Sequence, residues 1–251
     1  MIEVPVVVPS GFRVIAHRGA SGYAPENTLA AFRLAREMGA REVELDVRLS
    51  ADGVAMLCHD DTLERYGHGT RRVEEVASRE LLTLDMGSWF SSHFFAGERM
   101  ATLRRLFEMF REEFVFHVEI KGASALIERE IARLIDAFGL GGRAVVTSFH
   151  LDALERMKAE APHLRLGWLV ERLDAEALGG AARAGLHQLC PSAAGLSAPD
   201  VAQAKRVVRE VRAWGLSGKP EQVRGLIRAA VDAGCDGLTL NWPDWVRREE
   251  A

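Results

Sequence analysis

Cysteine is scarce in this sequence, with only three residues in 251. Cys58, Cys190 and Cys235 are odd in number, lie far apart, and each falls within an apolar run. Small domains that depend on disulfides carry a denser and usually even set of cysteines. We therefore expect no disulfide, and three buried thiols in a reducing compartment.

The sequence also lacks long apolar runs and a dominant charge sign. Residues 1–9 contain an early acid, two prolines and an apolar run too short for a signal peptide or a membrane-spanning helix. The net charge is -4, and the pairs Arg104-Arg105 and Arg247-Arg248 lie on predicted helical or terminal segments, where they are solvated. These features predict a cytoplasmic protein that binds no nucleic acid and has no stable membrane association. No pattern indicates an oligomeric state.

What the sequence does contain is a regular alternation of strand-like and helix-like segments. Strand runs are predicted at 12–16, 42–47, 54–57, 114–120, 144–147, 166–170, 186–189, 210–214 and 237–240. Helices are predicted at 28–38, 103–111, 124–138, 151–159, 175–184, 200–208 and 220–233. The strand at 54–57 fits a local hairpin around Asp52-Gly53, which leaves eight others. The pattern predicts one catalytic domain over residues 1–251, an α/β fold of the (β/α)8 TIM-barrel type.

One segment interrupts the alternation. Residues 60–101 lie between two early barrel strands and are rich in glycine, arginine and aromatic residues. Long insertions are usually functional lids or loops, although a plain hydrophobic cap over the barrel mouth is an equal alternative. Trp89, Phe90, Phe94 and Phe95 give this insertion more aromatic surface than a solvated loop needs. We predict that some of these rings face the substrate, with Trp89 and Phe90 as substrate-binding candidates.

Two acidic residues on one predicted strand are the firmest functional signal. Glu44 and Asp46 are two positions apart, so both carboxylates point to the same face of the strand, whereas Leu45 points to the other. Two like charges in a partly buried place repel each other unless a cation lies between them. Carboxylate oxygens suit Mg²⁺ or Ca²⁺. The alternative is an ordinary ion pair with a nearby arginine.

Three further polar residues end predicted strands. Glu119 closes an apolar strand and is followed by Lys121, and His17 and His59 end two other strand runs. Each of these residues alone is as readily structural as functional. In a parallel barrel, however, the carboxyl ends of the strands meet at one mouth. The five residues together therefore predict a metal-assisted hydrolytic site.

The motifs that surround these residues resemble the glycerophosphodiester phosphodiesterase family of bacterial, cytosolic type. The N-terminal half carries His17-Arg18-Gly19, Pro25-Glu26-Asn27-Thr28, Glu44-Leu45-Asp46-Val47, Asp52-Gly53 and His59-Asp60. The match continues through the segments 84–90, 102–103 and 119–121, and weakly at 213–214 and 234–237. Two positions depart from the family pattern: Arg65-Tyr66 replaces Arg-Thr, and Trp214-Gly215-Leu216-Ser217 replaces Trp-Thr-Val-Asn.

This resemblance implies metal-dependent hydrolysis of glycerophosphodiesters to sn-glycerol 3-phosphate and an alcohol. The implied residues are Glu44, Asp46 and Glu119 for one divalent cation, Mg²⁺ or Ca²⁺, His17 and His59 as acid and base in either order, and Arg18 and Lys121 for the phosphate. It also implies that the insertion is a small subdomain that walls the substrate cleft. A first attack by the neighbouring glycerol hydroxyl is a further expectation of the same resemblance.

Other functions stay open at this point. One alternative is a lysophospholipase D-like enzyme or another phosphodiesterase on the same barrel, and another is a binding barrel without activity. An amidohydrolase would require His-x-His after the first strand, where this chain has His17-Arg18-Gly19. Glu26 is an open case, since it can contact the ion or the glycerol, or support its loop.

Overall fold

The computed structural model describes residues 5–122, 124 and 126–249. Its strands are β1 (Val6–Val8), β2 (Arg13–His17), β3 (Glu42–Leu49), β4 (Ala55–Leu57), β5 (Val115–Ile120), β6 (Ala144–Ser148), β7 (Arg165–Val170), β8 (Gln188–Pro191), β9 (Glu210–Ala213), β10 (Gly237–Leu240) and β11 (Val246–Arg248). Its helices are α1 (Leu29–Glu37), α2 (Ser78–Leu81), α3 (Ser88–Ser91), α4 (Leu103–Phe110), α5 (Leu126–Ala137), α6 (Leu151–Glu160), α7 (Ala175–Ala184), α8 (Ala198–Ala204) and α9 (Pro220–Asp232). Short 3₁₀ turns lie at Glu64–Tyr66, Val73–Glu75 and Pro243–Trp245.

Eight parallel strands close into a barrel, which confirms the predicted TIM fold. Their order is β2, β3, β5, β6, β7, β8, β9 and β10, and β2 completes the ring by pairing with both β3 and β10. Strand β4 is the predicted hairpin partner, antiparallel to β3, with Val47 opposite Leu57. Every predicted strand is present within two residues at each end.

Strands β1 and β11 were not predicted. They form a separate two-stranded parallel sheet, with Val6 opposite Val246. Sequence periodicity could not identify this pair because its partners lie at opposite ends of the chain and each strand has only three residues. None of the helices in the described ranges is long and apolar enough to cross a bilayer.

The starts of helices α1 and α8 are set by their capping residues. Thr28, where the predicted helix begins, accepts a hydrogen bond from the Ala31 backbone N–H and so caps the start of α1. The prediction for α8 was wrong by two residues at its start and four at its end. Ser197 caps this helix by accepting from the Asp200 backbone N–H, and Pro199 occupies its first turn, where proline is favoured.

The main core lies between the outer face of the barrel and the helices. On β3, Val43, Leu45 and Val47 point outward into it, as strand alternation requires. A second apolar cluster is formed mainly by the insertion, whose buried residues between Leu63 and Met100 pack with Met56 and Cys58. All three cysteines are buried and free, as expected.

The barrel interior is unusually polar for this fold, whose centre is normally filled by branched apolar side chains. Arg13 donates to both carboxylate oxygens of Glu42 at 2.6 Å and forms an ion pair with Glu210 at 2.6 Å. His117 Nε2 lies 2.9 Å from Glu42. We call Arg13, Glu42, His117 and Glu210 the lower cluster, because they lie toward the N-terminal ends of the strands.

Candidate active site

Three carboxylates converge where β3 and β5 run side by side. Glu44 and Asp46 are on β3, and the parallel register places Asp46 directly opposite Glu119 on β5. One oxygen from each residue lies within 4.8 Å of the others, and all three residues are buried. We call Glu44, Asp46 and Glu119 the upper cluster.

The upper cluster is short of positive charge. Among the described residues, Glu44 Oε1 and Asp46 Oδ1 are buried and accept no hydrogen bond. Burial, with the nearby charges of Asp46 and Glu119, raises the pKa of Glu44 well above its usual range. Burial and Asp46 raise the pKa of Glu119 to about 7. Such a set of hard oxygen donors fits a divalent cation.

Asp46 behaves differently because two cations lie against it. Arg18 Nε is 3.0 Å from Asp46 Oδ2, and Lys121 Nζ is 3.5 Å from Asp46 Oδ1 and 2.6 Å from Glu119 Oε1. Burial alone would raise the pKa of Asp46, but Arg18 and Lys121 outweigh it and lower that pKa below its usual range. Asp46 is therefore the constant negative charge of the group.

His17 is held by a residue that is distant in sequence. Its Nδ1 lies 2.6 Å from the Asn241 side-chain oxygen, which follows β10. Because that oxygen can only accept, Nδ1 carries the proton and Nε2 is the basic nitrogen, 3.7 Å from Glu44 Oε2. Burial in the cavity wall, with the charge of Arg18, lowers the pKa of His17 to about 3. The ring is thus neutral near pH 7.

His59 lies in a different electrostatic environment. Its Nδ1 is 2.6 Å from Asp60 Oδ1, and Asp60 in turn forms an ion pair with Arg65 at 2.8 Å. Burial lowers the pKa of His59, as do Arg18 and Lys121, whereas Asp46 and Asp60 oppose that shift. Asp60 therefore offsets part of the lowering of the His59 pKa, whereas His17 Nδ1 faces the neutral Asn241 oxygen instead of a carboxylate.

Asn27, which stood in the sequence only as part of the Pro25-Glu26-Asn27-Thr28 motif, contacts the upper cluster directly. Asn27 Nδ2 donates to Asp46 Oδ2 at 2.8 Å, and the Asp46 backbone N–H donates to Asn27 Oδ1 at 3.2 Å. Asn27 and Arg18 both have positive φ, 57° and 53°. A left-handed backbone at a non-glycine residue is uncommon and marks constrained, often functional, sites. That strain could not be read from the sequence.

Glu26 contacts basic and phenolic groups. Its carboxylate accepts from Arg18 at 2.9 Å, from Arg65 at 2.6 Å and from Tyr66 at 3.2 Å. These contacts favour the supporting reading of Glu26 over direct contact with an ion. Arg65, which matches the family pattern, and Tyr66, which departs from it, complete this support.

A cavity of about 250 Å³ opens above the upper cluster. One wall carries the predicted site residues His17, Arg18, Glu44, His59, Glu119 and Lys121. The opposite wall, which was not predicted, includes Phe149 and Trp214, packed edge to face at 4.9 Å. Trp89 and Phe90 are not among the described residues that line this cavity. Trp89 packs instead against Tyr66 and beneath the Arg65 guanidinium, at 5.7 and 5.4 Å.

The sequence profile of the Glycerophosphoryl diester phosphodiesterase family matches residues 17–244. The chain belongs to this family. The glycerophosphodiester phosphodiesterase of Caldanaerobacter subterraneus is 34% identical over 235 residues, which cover 92% of this chain and 94% of that relative. A Bacillus subtilis enzyme of the same name is 27% identical and covers 94% of this chain and 85% of its own length.

Solved structures agree with this family assignment. The glycerophosphodiester phosphodiesterase of Agrobacterium tumefaciens superposes with a TM-score of 0.81 at 28% identity, covering 93% of this chain and 98% of that chain. A phosphodiesterase of Oleispira antarctica, solved with its product sn-glycerol-3-phosphate, superposes with a TM-score of 0.81 at 26% identity, covering 94% of both chains. The predicted family, fold and enzyme class, a glycerophosphodiester-hydrolysing phosphodiesterase, are thus confirmed.

Proposed function

We propose that this phosphodiesterase cleaves its substrate with one divalent cation and two histidines that transfer protons. The observation that carries the proposal is the upper cluster, whose unpartnered carboxylate oxygens lie on the same cavity wall as His17 and His59. The Oleispira antarctica phosphodiesterase with bound sn-glycerol-3-phosphate supports the same product here.

Glu44, Asp46 and Glu119 would hold the cation. A purely carboxylate set favours Mg²⁺ or Ca²⁺ over softer metals. Once bound, the cation would polarise the phosphate and offset charge that develops on its oxygens. Arg18 and Lys121 would bind the remaining phosphate oxygens, Arg18 through its forked donors and Lys121 as a point charge.

His17 would act as the general base. Its Nδ1 proton is committed to Asn241, so Nε2 is free to accept a proton from the attacking oxygen. The lowered pKa keeps this nitrogen unprotonated near pH 7. Arg18 and Lys121 next to the site would meanwhile keep the phosphate oriented for attack.

His59 would act as the general acid. Asp60 stabilises its protonated form at 2.6 Å, and Arg65 holds Asp60 in place. The proton would pass to the leaving alkoxide. The different partners of the two Nδ1 atoms support this division of roles, because a neutral amide oxygen holds His17 whereas a carboxylate holds His59 and favours its protonated form.

The insertion would influence the site through Arg65. We propose that residues 60–101 and the barrel work as one catalytic domain, with Trp89 beneath Arg65 and Phe90 edge to face with Trp89 at 5.8 Å. Arg65 reaches Asp60, which contacts His59. Trp89 and Phe90 would thus affect the choice of headgroup indirectly, through the position of Arg65.

The decisive experiment follows the products of glycerophosphocholine by ³¹P NMR, in chelated protein and after addition of Mg²⁺ or Ca²⁺. We expect sn-glycerol 3-phosphate only when a cation is present. A transient cyclic phosphodiester would show that the glycerol hydroxyl attacks first, and its absence would favour direct attack by water. Full turnover in thoroughly chelated protein would contradict the proposed cation.

A further inference from the structure

Arg212 is a buried cation in the barrel interior for which the mechanism above has no use. It lies on β9, is 2% exposed, and its Cα is opposite Gly237 on β10. The guanidinium extends toward the carboxyl ends of the strands, where it donates to Thr239 Oγ1 and lies 3.4 Å from Cys190 Sγ. Both Arg212 and Thr239 line the active-site cavity.

The partners of Arg212 set it apart from the other basic side chains around the barrel centre. Arg13 pairs with Glu42, Arg18 with Asp46, and Lys121 with Glu119. Within residues 5–122, 124 and 126–249, no carboxylate lies within 4.0 Å of Arg212, whose two polar partners are a neutral hydroxyl and a thiol. Its Nε is also buried without a hydrogen-bond partner. A buried charge without a counterion is costly unless a ligand supplies one.

The location of Arg212 shows which part of a ligand it would meet. The acids and the two phosphate-binding cations lie on the wall formed by β2, β3 and β5. The wall from β6 to β10 is otherwise lined by neutral side chains, including Phe149, Leu169 and Trp214. Among the described residues on that wall, Arg212 is the one charged side chain. It would therefore contact a group other than the phosphate oxygens held by Arg18 and Lys121.

We propose that Arg212, oriented by Thr239, binds a second negative charge on the ligand and so favours diesters that carry an additional anionic group. This inference rests on the proposed function, because it assumes that the reacting phosphate occupies the opposite wall. Charge-assisted hydrogen bonds from a guanidinium to a carboxylate or phosphate are among the strongest in proteins. The second charge can come from an acidic group on the diester or from the extra charge of the phosphomonoester product.

The test compares two diesters of glycerol phosphate whose alcohols have the same three-carbon length but end in a carboxylate or in a hydroxyl. One carries 3-hydroxypropanoate as its alcohol and the other carries the neutral 1,3-propanediol. We expect wild-type protein to prefer the acidic diester through KM, and Arg212→Gln to reduce that preference by about 10-fold or more. Arg212→Lys should keep part of it. The exposed Arg209→Gln, which precedes β9, is the matched control and should leave the preference unchanged.

A product arm separates the two sources of charge. Inhibition by sn-glycerol 3-phosphate is measured in wild type and in Arg212→Gln. Weaker inhibition with an unchanged preference between the diesters would support the binding of a second charge by Arg212, assign that charge to the product, and overturn the preference for acidic diesters. An unchanged preference together with unchanged inhibition, in a variant with wild-type melting temperature, would overturn it.

Two measurements keep the test valid if Arg212→Gln misfolds or the proposed function fails. Thr239→Val removes the hydroxyl that orients Arg212 but keeps the charge, and it should weaken the preference by a smaller factor. Calorimetric binding of the two diesters to chelated protein needs no turnover, and tighter binding of the acidic diester should depend on Arg212. If wild-type protein binds the acidic diester more tightly through Arg212 but hydrolyses neither diester after a cation is added, only the proposed function is refuted.

Discussion

The lower and upper clusters occupy one barrel interior, two residues apart on the same strands, yet their acids differ in charge state. Glu42 precedes Glu44 by two positions on β3, and His117 precedes Glu119 by two on β5. Burial would raise the pKa of Glu42 as well, but His117 and Arg13 lower it to about 2. The pKa of Glu44 is instead raised by burial and neighbouring acids.

The difference shows that burial alone does not identify a reactive site. Both glutamates are nearly removed from solvent, and only their partners differ. In the lower cluster, each carboxylate meets a cation or an imidazole, so that group stabilises the barrel. In the upper cluster, Glu44 faces a neutral imidazole at 3.7 Å and its Oε1 accepts no hydrogen bond from the described residues, while Asp46 and Glu119 share Lys121. This arrangement is costly for stability and suits cation binding.

The largest expected effect is on activity. Asp46→Asn or Glu44→Gln should lower kcat/KM by about 10²-fold to 10³-fold or more, because each removes a carboxylate from the proposed cation site. The measurement is hydrolysis of glycerophosphocholine, together with the shift of melting temperature on adding Mg²⁺ or Ca²⁺. Wild type should be stabilised by the cation and Asp46→Asn should not.

Glu42→Gln is the matched control for that comparison, since it makes the same chemical change two residues away. It should keep cation-induced stabilisation and most of the activity of the folded fraction. An equal loss of cation response in Glu42→Gln and Glu44→Gln would show that the two clusters act as one.

The two histidines should have the next largest effect. His17→Ala and His59→Ala should each lower turnover by roughly 10²-fold, the range for a general acid or base, without unfolding the barrel. The pH profile of wild-type kcat should be bell-shaped, and each variant should lose one limb. The exposed His163, which pairs with Asp136, provides a control substitution. A variant with wild-type turnover would identify its histidine as structural.

The pH dependence of stability should separate the clusters in chelated protein. The pKa of Glu119 is raised from 4.5 to about 7, so its stabilising contribution is present below pH 4.5 and lost as the pH rises through 7. The pKa of Glu42 is lowered from 4.5 to about 2, so its contribution is present above pH 4.5 and lost as the pH falls toward 2.

Urea unfolding across pH 2 to 8 measures both effects. The free energy of unfolding of Glu119→Gln should rise relative to that of wild type as the pH increases from 4.5 to 7. Glu42→Gln should be less stable than wild type at neutral pH, and its deficit should shrink as the pH falls below 4.5. Parallel pH curves for both variants would remove the electrostatic distinction between the clusters.

The smallest expected effect concerns the insertion. Trp89→Ala or Phe90→Ala should change relative rates among glycerophosphocholine, glycerophosphoethanolamine and lysophospholipids more than it changes cation dependence. The exposed Phe94→Ala is the control within the same segment. Equal losses on every substrate with a lower melting temperature would mark these rings as core of the insertion, consistent with the packing of Trp89 on Tyr66.

Local sequence patterns determined most of the barrel strands and the three carboxylates of the upper cluster. The alternation of strand residues places Glu44 and Asp46 on one face, and the run that ends in Glu119 is a strand for the same reason. The order of strands and helices then required a parallel fold whose carboxyl ends meet. These inferences need only neighbouring residues, and the structure agrees with them.

Contacts between distant residues were decided by the tertiary structure alone. Closure of β10 against β2 brings Asn241 to His17, across 224 positions of sequence, and so selects the ring nitrogen that can accept a proton. The register of β9 and β10 aims Arg212 at Thr239 and leaves it without an acid among the described residues. The sequence determines which face of a strand a side chain occupies. The charge that the side chain meets there depends on strands distant in sequence, which come into contact with it only when the barrel closes.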